Sequence, residues 1–207
     1  MTATVIGASS LSGTALIQNL IKQGTPVRAL VREASRLEIS NEKMTVIEGD
    51  VLRPESIQEA LKGAEVVFSF LGPKGSQKAI AARGTANIIA AMQSQGIDRL
   101  LVASVAGIAV PEDQRKGSLI EKLIQIFLKE MYADREEQLR LLQESSLAWT
   151  AARLPRLTND TASGSVRAFF GSPSPMMKLS REGLADFLIG TWKKGKYIRR
   201  APILAEG

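Results

Sequence analysis

The chain has 207 residues, 44% of them apolar, which suits one globular domain with a sizeable core. It has no histidine and no cysteine, so soft-ligand zinc sites and Ser-His or Cys-His nucleophile pairs are excluded and no metal site is expected. The net charge of +6 is scattered, without the aromatic-basic signature of an RNA-binding sheet, so it reads as a solvated basic surface and not as a specific nucleic-acid site.

Strand and helix signals alternate from the start. A strand is predicted over Thr2–Ile6 and a helix over about Ser12–Gln23, with Leu16 and Leu20 four apart and Gly24 closing the helix. Strands follow at Val27–Val31 and Met44–Ile47. Pro54 opens a short helix that Gly63 closes. Val66–Leu71 reads as a strand covered on both faces. A long helix is expected over Gln77–Ser94, a strand over Leu100–Ala103, a helical region over Ser118–Glu144 with a break near Asp134, and a strand over Ala148–Arg153. Such alternation implies right-handed βαβ units and a parallel sheet with helices on both faces.

After Pro155 the rhythm weakens. Ser165–Phe170 reads as a short strand, Ser172–Pro175 as a turn, Ser180 as the cap of a helix over Arg181–Lys193, and Tyr197–Ile203 as a final strand. The expected organisation is one domain: residues 1–155 as the core and 156–207 as a small C-terminal lobe. No apolar run approaches the length of a membrane span. The first strand begins close to Met1 and leaves no room for a cleavable signal, so a cytoplasmic protein with no membrane partner is expected.

The densest chemical signal is Thr4-Val5-Ile6-Gly7-Ala8-Ser9-Ser10-Leu11-Ser12-Gly13-Thr14. A strand runs through a Gly/Ser loop into a helix, which gathers unpaired N–H groups and a helix N-terminus around one point suited to a pyrophosphate. Gly7 and Gly13 are separated by five residues and no lysine follows, which argues against a phosphoryl-transfer loop. Gly7 fits the tight turn and Gly13 the helix–strand contact, with Ser9, Ser10, Leu11 and Ser12 between them as further cofactor contacts. Ser10 stands where a glycine normally lets backbone approach phosphate. If serine is strained there, Ser10→Gly is expected to tighten cofactor binding.

Val5–Gly13 resembles the G-A-T/S-G-x-x-G start of the atypical short-chain dehydrogenase/reductases. The chain looks most like the NAD(P)H-binding NmrA-like proteins and the biliverdin-IXβ/flavin reductases. The likeness continues through Ala29-Leu30-Val31-Arg32, Glu48-Gly49-Asp50-Val51, Phe70-Leu71-Gly72, Ala103-Ser104-Val105-Ala106-Gly107 and Ala152-Arg153-Leu154-Pro155. The resemblance implies a Rossmann-type doubly wound α/β fold with the C-terminal lobe over the substrate. It also implies a nicotinamide dinucleotide laid along the strand ends, with Asp50 and Val51 at the adenine and Leu71 and Gly72 along the ribose. Ser104, Leu154 and Pro155 would lie beside the nicotinamide.

Within that frame Arg32, at the end of the second strand, replaces the acid that would hold a free ribose 2′-OH. Together with Arg36 it suits a 2′-phosphate, so NADPH is the expected cofactor. Ser104 is a candidate catalytic residue. The family's Tyr-x-x-x-Lys pair is missing: Tyr132 is followed at the fourth position by Glu136, with Lys129 on its other side. Tyr132 is therefore a candidate acid without the usual cation. Arg156 follows Pro155 and is the candidate substrate-binding residue.

The subtraction favours an NADPH-dependent reductase that passes hydride to a flat small-molecule acceptor, a flavin or a quinone, because solvent can then supply the proton. The alternative of another class is a non-catalytic NADP(H)-binding, redox-sensing regulator of the NmrA-like type. Monomer and homodimer are both compatible with the sequence.

Overall fold

The computed structural model describes residues 1–72, 79–113, 127–162 and 164–207. An eight-stranded sheet forms the middle layer, in the order β3-β2-β1-β4-β5-β6-β10-β8. Its strands are β1 (Ala3–Ile6), β2 (Val27–Val31), β3 (Met44–Glu48), β4 (Val66–Ser69), β5 (Arg99–Val105), β6 (Ala148–Leu154), β8 (Val166–Phe169) and β10 (Ile203–Glu206). All neighbours are parallel except β8, which runs antiparallel to β10. β7 (Arg156–Thr158) and β9 (Lys178–Ser180) pair separately as a short parallel ribbon. The doubly wound α/β fold is thus present, and strand order reverses between β1 and β4, the switch point at which such sheets bind ligands.

Successive strand residues feed opposite layers, as the two-residue period requires. Ile6 and Val67 enter the apolar cluster with Ile57 of α2 (Pro54–Ala60), Ile88 of α3 (Ile80–Gln95) and Leu142 of α4 (Lys129–Glu144). Val5 and Phe68 enter the other cluster, with Leu16 and Leu20 of α1 (Leu11–Lys22) and Leu188 of α5 (Arg181–Lys193). Segment 156–207 contributes to the main layers as well as to the β7–β9 ribbon: α5 packs beside α1, and β8 and β10 extend the sheet.

Two expectations need correction. α4 runs unbroken through Asp134, whose low helix propensity is offset because its carboxylate accepts from the Ala81 and Ala82 N–H groups at 3.0 and 2.8 Å. It thereby supplies the cap that Ala79 cannot give α3. The final strand starts at Ile203 and not at Tyr197, because Tyr197 and Arg199 adopt left-handed φ values of 53° and 54°. Arg199 instead turns its guanidinium to the Ser145 and Gln143 carbonyls at the end of α4, at 2.6 and 2.7 Å. Residues 77–78 of the expected long helix and 118–126 of the next helical region lie outside the described residues.

Candidate functional site

A cleft of about 240 Å³ opens at the C-terminal ends of β1, β2, β3 and β4. Eight of the expected cofactor residues line it: Gly7, Ser9, Ser10, Arg32, Asp50, Val51, Leu71 and Gly72. Gly7 turns the chain at φ +77°, and a Cβ there would lie 2.6 Å from the Phe70 carbonyl oxygen. That close approach seats the loop on the end of β4. A Cβ on Gly13 would meet the Gly7 oxygen at 2.5 Å, so α1 leaves the loop only because this residue has no side chain.

Ser10 is the N-cap of α1. Its φ is −79° and ψ 154°, ordinary extended backbone, and its hydroxyl oxygen accepts from the Gly13 N–H at 3.0 Å. Ser10 is therefore unstrained, and the condition under which a glycine would serve better does not arise. Thr14 N–H reaches the Ser10 carbonyl, while the Leu11 and Ser12 amides precede any intrahelical acceptor. Leu11, Ser12 and Gly13 form the first turn of α1 behind the cleft. The glycine cradle and the open helix start fit a dinucleotide pyrophosphate at this point.

At the other end of the cleft, Asp50 Oδ1 accepts from Leu52 N–H at 2.9 Å, and Gly49 admits Ser56 where a Cβ would clash at 2.6 Å. Arg32 lines the cleft and is exposed. Arg36 lies in a 3-10 turn, Ala34–Arg36, and its Nε pairs with Glu33 at 2.8 Å.

The remaining expected residues lie outside this cleft. Ser104, near the end of β5, sits in register with Arg153, and Val105 with Leu154, so Ser104, Leu154 and Pro155 cluster at adjoining strand ends. Tyr132 packs its ring directly on Gly107, where no Cβ could be accommodated. Arg156 is exposed on β7.

Sequence reasoning missed the residues that hold these strand ends in place. Arg135, buried, reaches from α4 to the Leu71 carbonyl at 2.5 Å and the Ala103 carbonyl at 3.1 Å, tying β4 to β5. Burial disfavours its charge and lowers its pKa, an effect that the neighbouring Asp134 opposes. Gly84 lets α3 approach Leu71 and Val51, where a Cβ would meet methyl carbons at 2.5 and 3.0 Å, and Asn87 Nδ2 donates to the Val51 carbonyl at 3.0 Å. A glycine in mid-helix was the one visible signal, since it costs about 1 kcal/mol against alanine.

Arg153 is fully buried and forms a bidentate pair with Asp113, both N–O distances 2.6 Å. It also donates to the Ile108 and Ala201 carbonyls, at 2.6 Å each. Asp113 accepts further from the Val110 and Gly171 N–H groups. This pair therefore ties the loop after β5 to β6 and to the start of the 171 loop. Among the described residues no His/Cys/Asp/Glu group could hold a metal, and no helix is long and apolar enough to cross a membrane.

A family model described as NAD(P)H-binding matches residues 7–194. The chain is 29% identical over 121 residues to the 2-alkyl-3-oxoalkanoate reductase of Shewanella oneidensis, an alignment covering 56% of this chain and 31% of that protein. It spans about a third to a half of the length of the reductases it matches in this way. Among solved structures, a short-chain dehydrogenase/reductase from Veillonella parvula in complex with NADP superposes with a TM-score of 0.84 at 22% identity, covering 99% of this chain and 94% of that one. ChuY, an anaerobilin reductase from Escherichia coli O157:H7, superposes with a TM-score of 0.80 at 15% identity, covering 100% and 97%. These structural likenesses show a shared fold.

Proposed function

The chain belongs to the NAD(P)H-binding family, in the atypical short-chain dehydrogenase/reductase group, and from that premise we propose that it is an NADPH-dependent reductase passing hydride to a flat acceptor, a flavin or a quinone. The observation that carries the reading is the convergence of Gly7, Ser9, Ser10, Arg32, Asp50 and Gly72 on one cleft at the switch point of the sheet. Bound NADPH would supply the hydride. The Gly7–Gly13 loop would hold the pyrophosphate with backbone N–H groups and Asp50 would meet the adenine. Arg32 would pair with the 2′-phosphate, whose charge a guanidinium matches and a carboxylate repels. Arg36, paired with Glu33, would be a weaker second contact.

Ser104, with Leu154 and Pro155, would border the nicotinamide end, and Arg156 would stand at the acceptor side. Two features support an acceptor that needs little help from the protein. Tyr132 packs on Gly107, and the cation three residues along its helix, Arg135, is committed to the Leu71 and Ala103 carbonyls. A ring that takes hydride and draws its proton from water does not depend on a side-chain acid.

The test is loss of reduced-nicotinamide absorbance, at about 340 nm, with NADPH and FMN, FAD or a quinone. Oxidation with at least one acceptor is the expected result. Tight NADPH binding without oxidation by any acceptor would overturn it in favour of a non-catalytic regulator.

A further inference from the structure

β7 and β9 form a ribbon of their own, and its register sets Arg156 beside Lys178, Leu157 beside Leu179 and Thr158 beside Ser180. Neighbours in register on adjacent strands share a face. Leu179 is buried in the apolar cluster shared with α1 and α5, and Leu157 packs against that cluster. Arg156 and Lys178 therefore turn the other way, and both are exposed. Their backbones stand about 4.8 Å apart, the spacing of adjacent strands.

Two cations directly opposite each other repel, and sheets ordinarily avoid the arrangement. No carboxylate relieves it here. Among the described residues neither Arg156 nor Lys178 has an ion pair or a side-chain hydrogen bond. Several exposed cations elsewhere do have such partners: Arg36 has Glu33, Lys62 has Glu59, Arg140 has Glu137 and Arg200 has Glu112. Between Pro155 and Glu182 the sequence carries four cations, Arg156, Arg167, Lys178 and Arg181, and one acid, Asp160. That acid lines a separate hollow beside α1, past the far end of β7. A local rule broken without compensation is a mark of a functional position.

The place of this pair ties it to the reductase site. Arg156 follows Pro155 at a Cα step of about 3.8 Å. Pro155 in turn follows β6, where Leu154 stands in register with Val105 and Arg153 with Ser104. That is the strand end at which the nicotinamide is expected.

We infer that Arg156 and Lys178 together bind an anionic group, a phosphate or a carboxylate, carried by the acceptor away from its reacting ring. The inference rests on the reductase reading above and adds the charge class of the acceptor and a second residue that selects it. A flat ring over the nicotinamide, with its anion extending past Pro155, meets Arg156 first and Lys178 one strand further out. The anion converts a repulsive pair into two charge-assisted contacts, and the guanidinium can make a bidentate one. It takes no part in the chemistry: hydride passes from NADPH to the ring and solvent supplies one proton, leaving NADP⁺ and the dihydroflavin or hydroquinone.

Steady-state kinetics with two matched pairs test the assignment. FMN and riboflavin share a ring and differ in a phosphate; a carboxylated naphthoquinone is set against the uncharged one. The wild type is expected to favour the anionic member of at least one pair about tenfold in kcat/KM, the scale of a hydrogen bond to a charged group. That preference should fall as salt is raised. A preference in the phosphate pair alone, or in the carboxylate pair alone, upholds the clamp and says which anion it takes. Lys178→Gln and Arg156→Gln are each expected to cut the preference several-fold and to leave the NADPH Kd unchanged, and Lys178→Arg to keep the preference. Equal kcat/KM within both pairs, a preference that survives in both Gln variants, or an NADPH Kd that moves with the preference overturns the clamp. If the wild type oxidises no NADPH with any acceptor, the reductase reading fails by itself. Flavin fluorescence with the NADP⁺ complex then decides the clamp: FMN bound more tightly than riboflavin, with the difference lost in Lys178→Gln, upholds it, and equal or no binding overturns it.

Discussion

The Ser10 hydroxyl accepts the Gly13 amide hydrogen at 3.0 Å, so the residue that replaces a phosphate-loop glycine is the N-cap of the helix behind the loop. Its extended φ of −79° leaves no strain for a glycine to relieve. Ser10→Gly should therefore not tighten NADPH binding, and Ser10→Ala should lower stability by about 1 kcal/mol, the usual cost of a lost cap. Thermal melts with and without NADPH check both. Tighter binding by Ser10→Gly would show that the cap is dispensable and the loop strained in some other way.

Arg32 lies on the cleft beyond the end of β2, and β2 is held between β1 and β3. Arg32→Glu should raise the KM for NADPH at least tenfold and change that for NADH far less, since a carboxylate repels only the 2′-phosphate. Comparing kcat/KM for the two cofactors settles it. Equal changes would remove Arg32 from the cofactor site.

The buried Asp113–Arg153 pair sets an acid limit. Burial alone would raise the Asp113 pKa, but hydrogen bonds from Arg153, Val110 N–H and Gly171 N–H, with the Arg153 charge, outweigh it and hold the carboxyl below its ordinary value. A carboxyl depressed in the folded state stabilises it fully above the unfolded pKa, about 3.9, and loses that share as pH falls through the lower folded value. Asp113→Asn should cost about 3–5 kcal/mol at neutral pH, because it leaves Arg153 buried without its counter-charge. It should also flatten the fall in Tm as the pH drops below about 4. An unchanged acid limb would assign acid unfolding to other carboxylates.

Asp134 and Arg135 are neighbours in α4 with separate tasks, one capping α3 and the other tying β4 to β5. Asp134→Ala should cost about 2–3 kcal/mol, because two buried amides lose a charged acceptor. Hydrogen exchange should show the loss first at Ala81 and Ala82. Equal loss across the sheet would mean that the residue acts through Arg135 instead.

Much of the fold was legible because it is written in short-range pattern. β2 at Val27–Val31 and the helix Arg181–Lys193 with its Ser180 cap fall where apolar spacing and one hydroxyl place them. The Gly7–Gly13 loop was legible for the same reason: strand, turn and helix are contiguous, and the two glycines are required by contacts within that unit and with Phe70. Arg32, Asp50 and Gly72 were named as separate strand ends, and a parallel sheet brings such ends to one edge.

What the tertiary structure alone decided is which polar residue meets which. Asp134 lies 53 residues from the Ala81 amide it caps, Arg135 64 from the Leu71 carbonyl, and Arg153 40 from Asp113. Periodicity reports which face of an element is apolar and says nothing about partners on another element, so a helix break was expected at a residue that caps a different helix. Tyr197 and Arg199 looked like strand, and tertiary bonds, from Thr150 Oγ1 to the Tyr197 carbonyl and from Arg199 to the end of α4, hold them in a left-handed turn. Leu11 and Arg181 are likewise far apart in the chain, and only the packing of α1 beside α5 makes them walls of one surface hollow.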